Sequence, residues 1–430
     1  MKRGGRAVAI PAVVLLVGVL CAGVMVRAMV RGQGGSAPPR TVALGASPLA
    51  VGGDEHGGHT VILGAARYDP SMATVDVVDT PTGQLLHTTT GRWFPRALAV
   101  DGRHERAFVA GGDNVVRVFD ARTGAVVSST RVPTTVTTMV ADAQSARVFL
   151  LGDTDVCMLD TRSGSLLRDI PLGLHTGGLA LDAAAHSVII TGYSDARAAG
   201  AARVIDARNG RILRTITLEG SPSPGVVAVD ARTGRAFIID RTINTLSIID
   251  PTRGRVLGSL DIGGSPRALV IDPRTARAFV AIDQVNGGRG GQVRVVDTAS
   301  GSVGRVTRAT RVDGMPMALV ADVQSGRIFD ITMTTSNQGS AGRLTVLDAR
   351  DGHVVRATVL HLSPHAATVD EHAGRVVIVG DAIDNVGLAP APQTWVPVWA
   401  RRWLPFLGSA PSARKLSDLV GRVMTLDATH

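Results

Sequence analysis

The sequence predicts an all-β fold, a β-propeller of four-stranded blades, eight in number, closed by an N-terminal strand pairing with the C-terminal blade. Three observations predict it. The phrase hydrophobic-x-hydrophobic-Asp, with Gly usual in the turn that follows, recurs every 40 to 51 residues between Asp79 and Asp348 and once more at Asp427. An apolar strand ending in Val-Asp, or a near equivalent, precedes each copy. The two ends of the chain carry complementary parts of one unit. Self-similarity at this period is the signature of a propeller blade.

Each unit reads as four short strands, A to D. Strand A is the phrase Ala97-Leu-Ala-Val-Asp101 or Ala268-Leu-Val-Ile-Asp272, with further copies ending at Asp142, Asp182, Asp230, Asp322 and Asp370 and a degenerate first copy around Leu49-Ala-Val51. Strand B is Arg106-Ala-Phe-Val109, Arg147-Val-Phe-Leu150, Arg235-Ala-Phe-Ile238 or Arg277-Ala-Phe-Val280. Strand C ends at the repeated aspartates Asp79, Asp120, Asp160, Asp206, Asp250, Asp297, Asp348 and Asp427. Strand D runs like Arg214-Thr-Ile-Thr-Leu218. Lengths of four to six residues joined by hairpin turns fit sheet strands. In Asp120-Ala-Arg-Thr-Gly124 an acceptor side chain opens the turn and glycine sits where a positive φ is easiest. The repeated aspartates are therefore read as turn caps and not as metal ligands or catalysts.

The last unit reaches strand C at Arg422-Val-Met-Thr-Leu-Asp427 and has no strand D after it. The missing strand is read at the other end. Arg40-Thr-Val-Ala-Leu-Gly45 precedes Ser47-Pro48 just as Leu260-Asp-Ile-Gly263 precedes Ser265-Pro266. Pairing residues 41–45 with the C-terminal blade would close the ring and remove free sheet edges.

The phrases Gly263-Gly-Ser-Pro-Arg-Ala-Leu269, Arg277-Ala-Phe-Val280 and Val293-Arg-Val-Val-Asp297 resemble the YVTN or YncE-like propeller repeats of bacterial exported proteins. The resemblance covers nearly all of residues 41–430 apart from the insertions. It implies an extracytoplasmic binding or scaffold protein without a shared catalytic motif. That family is usually seven-bladed, whereas eight copies of strand A are counted here. The first copy, with Asp54 to Gly58 in its turn, is the least regular, and seven blades is the alternative.

Composition agrees with a folded body, with 45% hydrophobic and 19% charged residues, and 50 glycines and 21 prolines suit many turns. The formal charge of +9 is concentrated at one end. Residues 1–40 hold six basic residues and no acid, leaving 39 bases against 36 acids in the rest. So balanced a body offers no phosphate-tracking field, and no nucleic-acid partner is expected. Arginine nearly excludes lysine, which occurs only at Lys2 and Lys415.

Residues 1–6 read as a cytoplasmic n-region. The apolar run Ala7 to Val26 is long enough to cross a bilayer as a helix, longer than the usual core of a cleaved signal. A transmembrane anchor over 7–26, a linker over 27–40 and a propeller over 41–430 follow. The expected location is the cell membrane, single-pass, with the body outside the cytoplasm. Secretion after cleavage near Gly35-Ser-Ala37 is the alternative. Leu20 before Cys21 argues against lipidation. The two cysteines, Cys21 and Cys157, form no disulfide framework, and Cys157 reads as a buried thiol.

Strand order fixes which loops share a face. A–B and C–D turns lie on one side, and B–C and D–A connections on the other. The extra residues fall between B and C, at Ser194–Ala201, Gln284–Gln292, Thr334–Gly342 and Asp384–Val420, the last holding a 385–420 insertion in the final blade. All are therefore expected on one face, where loop elaboration tends to carry function. Aromatic residues are only 3% of the chain, yet Trp395, Trp399 and Trp403 share the longest insertion with Arg401 and Arg402, and Trp93 lies in a D–A connection. Trp and Arg dominate interface hot spots, so this reads as a partner-docking patch, beside the plainer reading of a small self-packed cluster.

His175, His365, Arg96 and Arg267 are placed in D–A connections near the channel mouth. They suit an anionic ligand, or equally solvated loops. Glu55-His-Gly-Gly-His59 has ligand-like spacing but lacks the third and fourth ligands of a zinc site. No nucleophile elbow, P-loop, dinucleotide fingerprint or HExxH occurs. The sequence thus points to a non-catalytic binding or scaffold propeller. Its expected partner is a protein or cell-wall polymer; it needs no cofactor and no metal and acts as a monomer. The alternative is a propeller enzyme of lyase or lactonase type at the channel mouth.

Overall fold

The computed structural model describes residues 40–427 except 55–57, 67–68, 219, 222, 284–289, 300–303, 337–338, 371–373 and 384–420. Eight four-stranded antiparallel sheets follow one another along the chain. They span residues 47–92, 95–131, 138–171, 175–218, 224–261, 265–312, 315–360 and, for blade 8, 362–427 together with 40–44. The count is eight, not seven. The first blade is as complete as the others, with strands Ser47–Asp54, His59–Ala65, Met72–Asp79 and Gln84–Arg92 in register.

The ring closes as the chain ends suggested. Strand D of blade 8 is Arg40–Leu44, paired antiparallel with strand C, Gly421–Asp427, from Arg40 opposite Thr425 to Leu44 opposite Gly421. Across the same seam the Ser47 hydroxyl of blade 1 donates to Asp381 of blade 8 at 2.7 Å.

Apolar side chains fill the gaps between blades. Eight clusters of buried residues occur among the described residues, one for each pair of neighbouring blades. The phenylalanine of strand B supplies the largest of these groups. Phe108, Phe149, Phe237, Phe279 and Phe329 are all essentially sealed from solvent, each facing the next blade. Valine or isoleucine takes the position elsewhere, as at Val61 and Ile189. Removing an aromatic ring from such a place leaves a cavity as well as losing its transfer free energy.

The repeated aspartates are turn caps. Asp120 Oδ1 accepts hydrogen bonds from the backbone N–H groups of Arg122 and Thr123 and from the Thr123 hydroxyl. Asp160 and Asp206 do the same in their turns. Gly124 follows at φ +65°, a conformation that favours glycine.

Strand A carries a second regularity. Its register against strand B slips near its start in blades 1, 2, 4, 5, 6, 7 and 8, for example between Pro95 and Ala97 and between Pro266 and Ala268. This β-bulge turns the residue at the slip out of the pleat. Two of the expected B–C insertions are not loops. In blade 4 the hairpin continues to Ser194 opposite Ala199, and in blade 7 to Ser336 opposite Gly339. Small and β-branched residues there, Ala-Gly-Ala-Ala and Thr-Thr, extend the pleat without adding bulk. No described helix is long and apolar enough to cross a membrane, and the 7–26 segment lies outside the described residues.

Candidate binding face

The mouth face is built from the starts of the A strands and the ends of the B strands. Four singled-out residues lie here, but within strand A and not in the D–A connections. Arg96, Arg267 and His365 occupy the bulge position, and His175 opens its strand. The bulge explains the difference, since it carries the strand past the point where the hydrophobic alternation begins.

Their partners come from the same blade. Arg267 Nη2 donates to Asp283 Oδ2 at 2.6 Å, and Asp283 ends strand B of blade 6. His365 Nε2 shares a hydrogen bond of 3.1 Å with Asp381, which also receives the Ser47 hydroxyl. His175 Nε2 meets Asp195 at 2.9 Å in the B–C turn of blade 4, an exposed pair. In blade 5 the Asp240 carboxylate accepts from the Ser221 hydroxyl at 2.7 Å and the Ser223 N–H at 2.8 Å. Arg241 next to it is depressed by burial, then by the nearby Arg267 charge, with Asp283 opposing.

These groups are spread around the ring. Arg96, His175, Arg267 and His365 belong to blades 2, 4, 6 and 8. Among the described residues no hydrogen bond or ion pair joins any two of them. Arg267, His175 and His365 are each paired with an aspartate of their own blade, and the arrangement is a rim of separate groups, not a set of side chains converging on one reacting atom.

Trp93 is not on display. It is 8% exposed and packs among Val61, Val75, Leu98 and Phe119 between blades 1 and 2. The Arg117 guanidinium lies 4.9 Å from its ring centroid, a cation–π contact, and is held in turn by Asp113 at 2.6 Å. That hydrogen bond keeps the Asp113 carboxyl below its ordinary range. Gly91 is needed here, because a Cβ would meet Trp93 Nε1 at 2.4 Å. The adjacent Phe94 is instead 52% exposed, with Arg96 beside it around Gly112. Trp395, Trp399, Arg401, Arg402 and Trp403 lie outside the described residues, as does His56.

Sequence reasoning passed over Phe94 and the aspartates that finish strand B. Asp240, Asp283 and Asp381 each follow an apolar run, and that position was the available signal. Cys157 is the buried thiol expected of it, but its grouping with Asp155 and Asp169 in blade 3, whose ligand atoms lie within 4.8 Å of one another, was passed over. The Cys157 thiol is wholly buried and pushed up to about 12 by burial, then by Asp169 and Asp155. It stays protonated at neutral pH.

With this geometry fixed, comparison with known proteins places the fold. Residues 71–257 match the PQQ_2 family model, described as "Outer membrane protein assembly factor BamB". Hydrazine synthase of Kuenenia stuttgartiensis aligns at a TM-score of 0.53 and 14% identity, covering 75% of this chain and 99% of that one. BamB from Moraxella catarrhalis aligns at 0.53 and 14%, covering 79% and 95%. The chain is an eight-bladed propeller similar to BamB. No curated protein matches the sequence. At 14% identity the likeness to the solved structures is one of fold, and function has to be argued from the face itself.

Proposed function

We propose that the protein is a non-catalytic extracytoplasmic binding or scaffold propeller that recognises a protein or a cell-envelope ligand through its mouth face. One observation carries this reading. Three of the four singled-out groups of the mouth are paired within their own blades, Arg267 with Asp283, His365 with Asp381 and His175 with Asp195, so these three are held in place for display. Catalysis needs groups positioned on a common reacting atom. The match of residues 71–257 to a model described as an assembly factor supports a scaffolding role. The YVTN-like phrases support an exported repeat protein of that finer kind. The basic n-region and the apolar run over 7–26 support a single-pass tether, with secretion after cleavage as the alternative.

The test is recovery of bound material from solubilised cell envelope by the full-length protein, by a form lacking residues 385–420, and by a Phe94→Ala/Arg96→Ala variant. Reduced recovery with either change is expected. Equal recovery by all three would refute the mouth face as the docking surface.

A further inference from the structure

A second feature lies on the opposite face, among the A–B and C–D turns. In blades 2, 3 and 7 the arginine that opens strand B pairs with the aspartate that ends strand C: Arg106 with Asp120 at 3.3 Å, Arg147 with Asp160 at 2.8 Å, and Arg327 with Asp348 at 2.9 Å. Blade 5 departs from this. Its aspartate, Asp250, is gripped at 2.7 Å by Arg253 from within its own turn. Arg235, which opens strand B, donates to the Thr298 carbonyl of blade 6 at 3.2 Å. The residue after the turn glycine is a further arginine, Arg255.

Arg235, Arg253 and Arg255 line one open surface cavity of ≈ 500 Å³, together with Asp250 and the hydroxyl-bearing Thr233 and Thr252. Three arginines and one carboxylate therefore share this space, with Arg253 holding the carboxylate and Arg235 donating across to blade 6. The corresponding turn of blade 7 balances Arg327 and Arg350 against Asp348 and Asp351. The excess in blade 5 is larger still at its edge. Gly254, at φ +69°, lies so close to Arg214 of blade 4 that a Cβ there would sit 3.1 Å from Arg214 Cδ. Burial alone would raise Asp250, but the hydrogen bonds from Arg253 and the charges of Arg253 and Arg255 outweigh it and hold the carboxyl below its ordinary range. The single acid is thus ionised and already engaged, and positive charge is left over.

We infer that this cavity binds the phosphate group of an anionic ligand. Several guanidinium forks and two threonine hydroxyls arrayed around one space suit a tetrahedral oxyanion, which accepts hydrogen bonds in more directions than a carboxylate. The phosphate has two possible sources, a lipid headgroup or a free phosphate compound. The lipid source is open because strand D of blade 8 starts at Arg40 beside the end of strand C, so residues 1–39 join the ring on this same face. The inference stands apart from the mouth-face function and uses none of its residues.

The full-length protein in neutral detergent micelles would be titrated with inorganic pyrophosphate and, separately, with dioctanoyl phosphatidylglycerol, following heat by calorimetry. The variants are Arg255→Gln, which breaks no hydrogen bond described here, Arg253→Gln/Arg255→Gln, and Arg350→Gln in blade 7 as the control. At least one of the two probes should bind the wild type. Its affinity should fall roughly threefold to tenfold for Arg255→Gln, as for loss of one charge-assisted contact, further for the double variant, and not for Arg350→Gln. Response to pyrophosphate alone assigns the site to free phosphate compounds, and response to the lipid alone assigns it to a headgroup. Binding of neither probe, or equal binding by the wild type and both blade 5 variants, would overturn the inference. Unchanged melting temperatures without ligand separate loss of binding from loss of fold.

Discussion

Asp330 sets up a test of how this ring tolerates a buried charge. It lies in strand B of blade 7, between Leu319 and Thr345 in register, wholly buried, and among the described residues neither carboxylate oxygen has a hydrogen-bond partner. The equivalent position is aliphatic in all the other blades, as in Val109, Leu150, Ile238 and Val280. Burial pushes the Asp330 carboxyl up to about 8. An unfolded chain would release the proton near pH 4. Below that both states hold it. Between about pH 4 and 8 only the folded state holds it, so stability falls as pH rises, by about 1.4 kcal/mol per pH unit. At pH 7 the accumulated cost is about 4 kcal/mol, an upper figure. The neutral acid left without a partner costs a further ~1–3 kcal/mol at any pH. Asp330→Val should therefore stabilise the protein by about 1–3 kcal/mol at pH 4 and by several more at pH 7. Denaturant midpoints of wild type and variant at pH 4.5, 6 and 7.5 provide the assay. Asp370, also raised to about 8 by burial, is common to both and cancels in the difference. A gap between variant and wild type that does not grow with pH would refute the reasoning.

Other expectations follow from single contacts. Cys157, sealed and held as the thiol to about pH 12, should resist a thiol reagent in the native protein at pH 8 and react once unfolded, as counted by mass spectrometry. Phe279→Ala, which empties a place between blades 6 and 7, should lower stability by about 3–5 kcal/mol in denaturant melts. Leu44→Ala should cost about 2–5 kcal/mol and increase protease cutting near residue 45, because Leu44 is buried in the cluster that joins blade 8 to blade 1. Asp120→Ala, which uncaps one exposed turn, should cost only about 0.5–1.5 kcal/mol by the same melts.

Much of the ring was legible in the sequence because its determinants are local. Alternation fixes a strand, and Asp with Gly fixes its turn, so the blades and the partnership of residues 41–45 with the last blade could be read from short phrases. Contacts across blades could not be read this way. Trp93 looked like a face residue because nothing near it in sequence shows that Phe119 and Arg117 enclose it. The bulge in strand A was legible but unread: a proline stands at the slip in six of the seven blades that have it, at Pro48, Pro95, Pro224, Pro266, Pro316 and Pro364, and the bulge moved Arg96, Arg267 and His365 from connections into strands. The pairing of Arg267 with Asp283 spans sixteen residues and depends on both strand ends finishing level.

The two features of this molecule with the sharpest chemistry have a common origin. Asp330 replaces an aliphatic side chain of strand B, and Arg253 and Arg255 flank the turn glycine of blade 5 where five other C–D turns carry no arginine at either position. In each case the fold supplies a well-defined environment from the other copies, seven for strand B and six for the C–D turn, against which the exception stands out. A repeat position filled the same way in every blade reports what a blade needs to form. A position filled differently in one blade is free of that demand or is stabilised at the expense of it. Asp330 is the second kind, because burial without a partner lowers stability. The blade 5 arginines are the first kind, because exposed turn residues carry little folding cost. The pH series and the phosphate titration therefore probe opposite ends of one argument. A destabilising exception must be measurable in the melt, and a neutral one must be measurable only through what it binds.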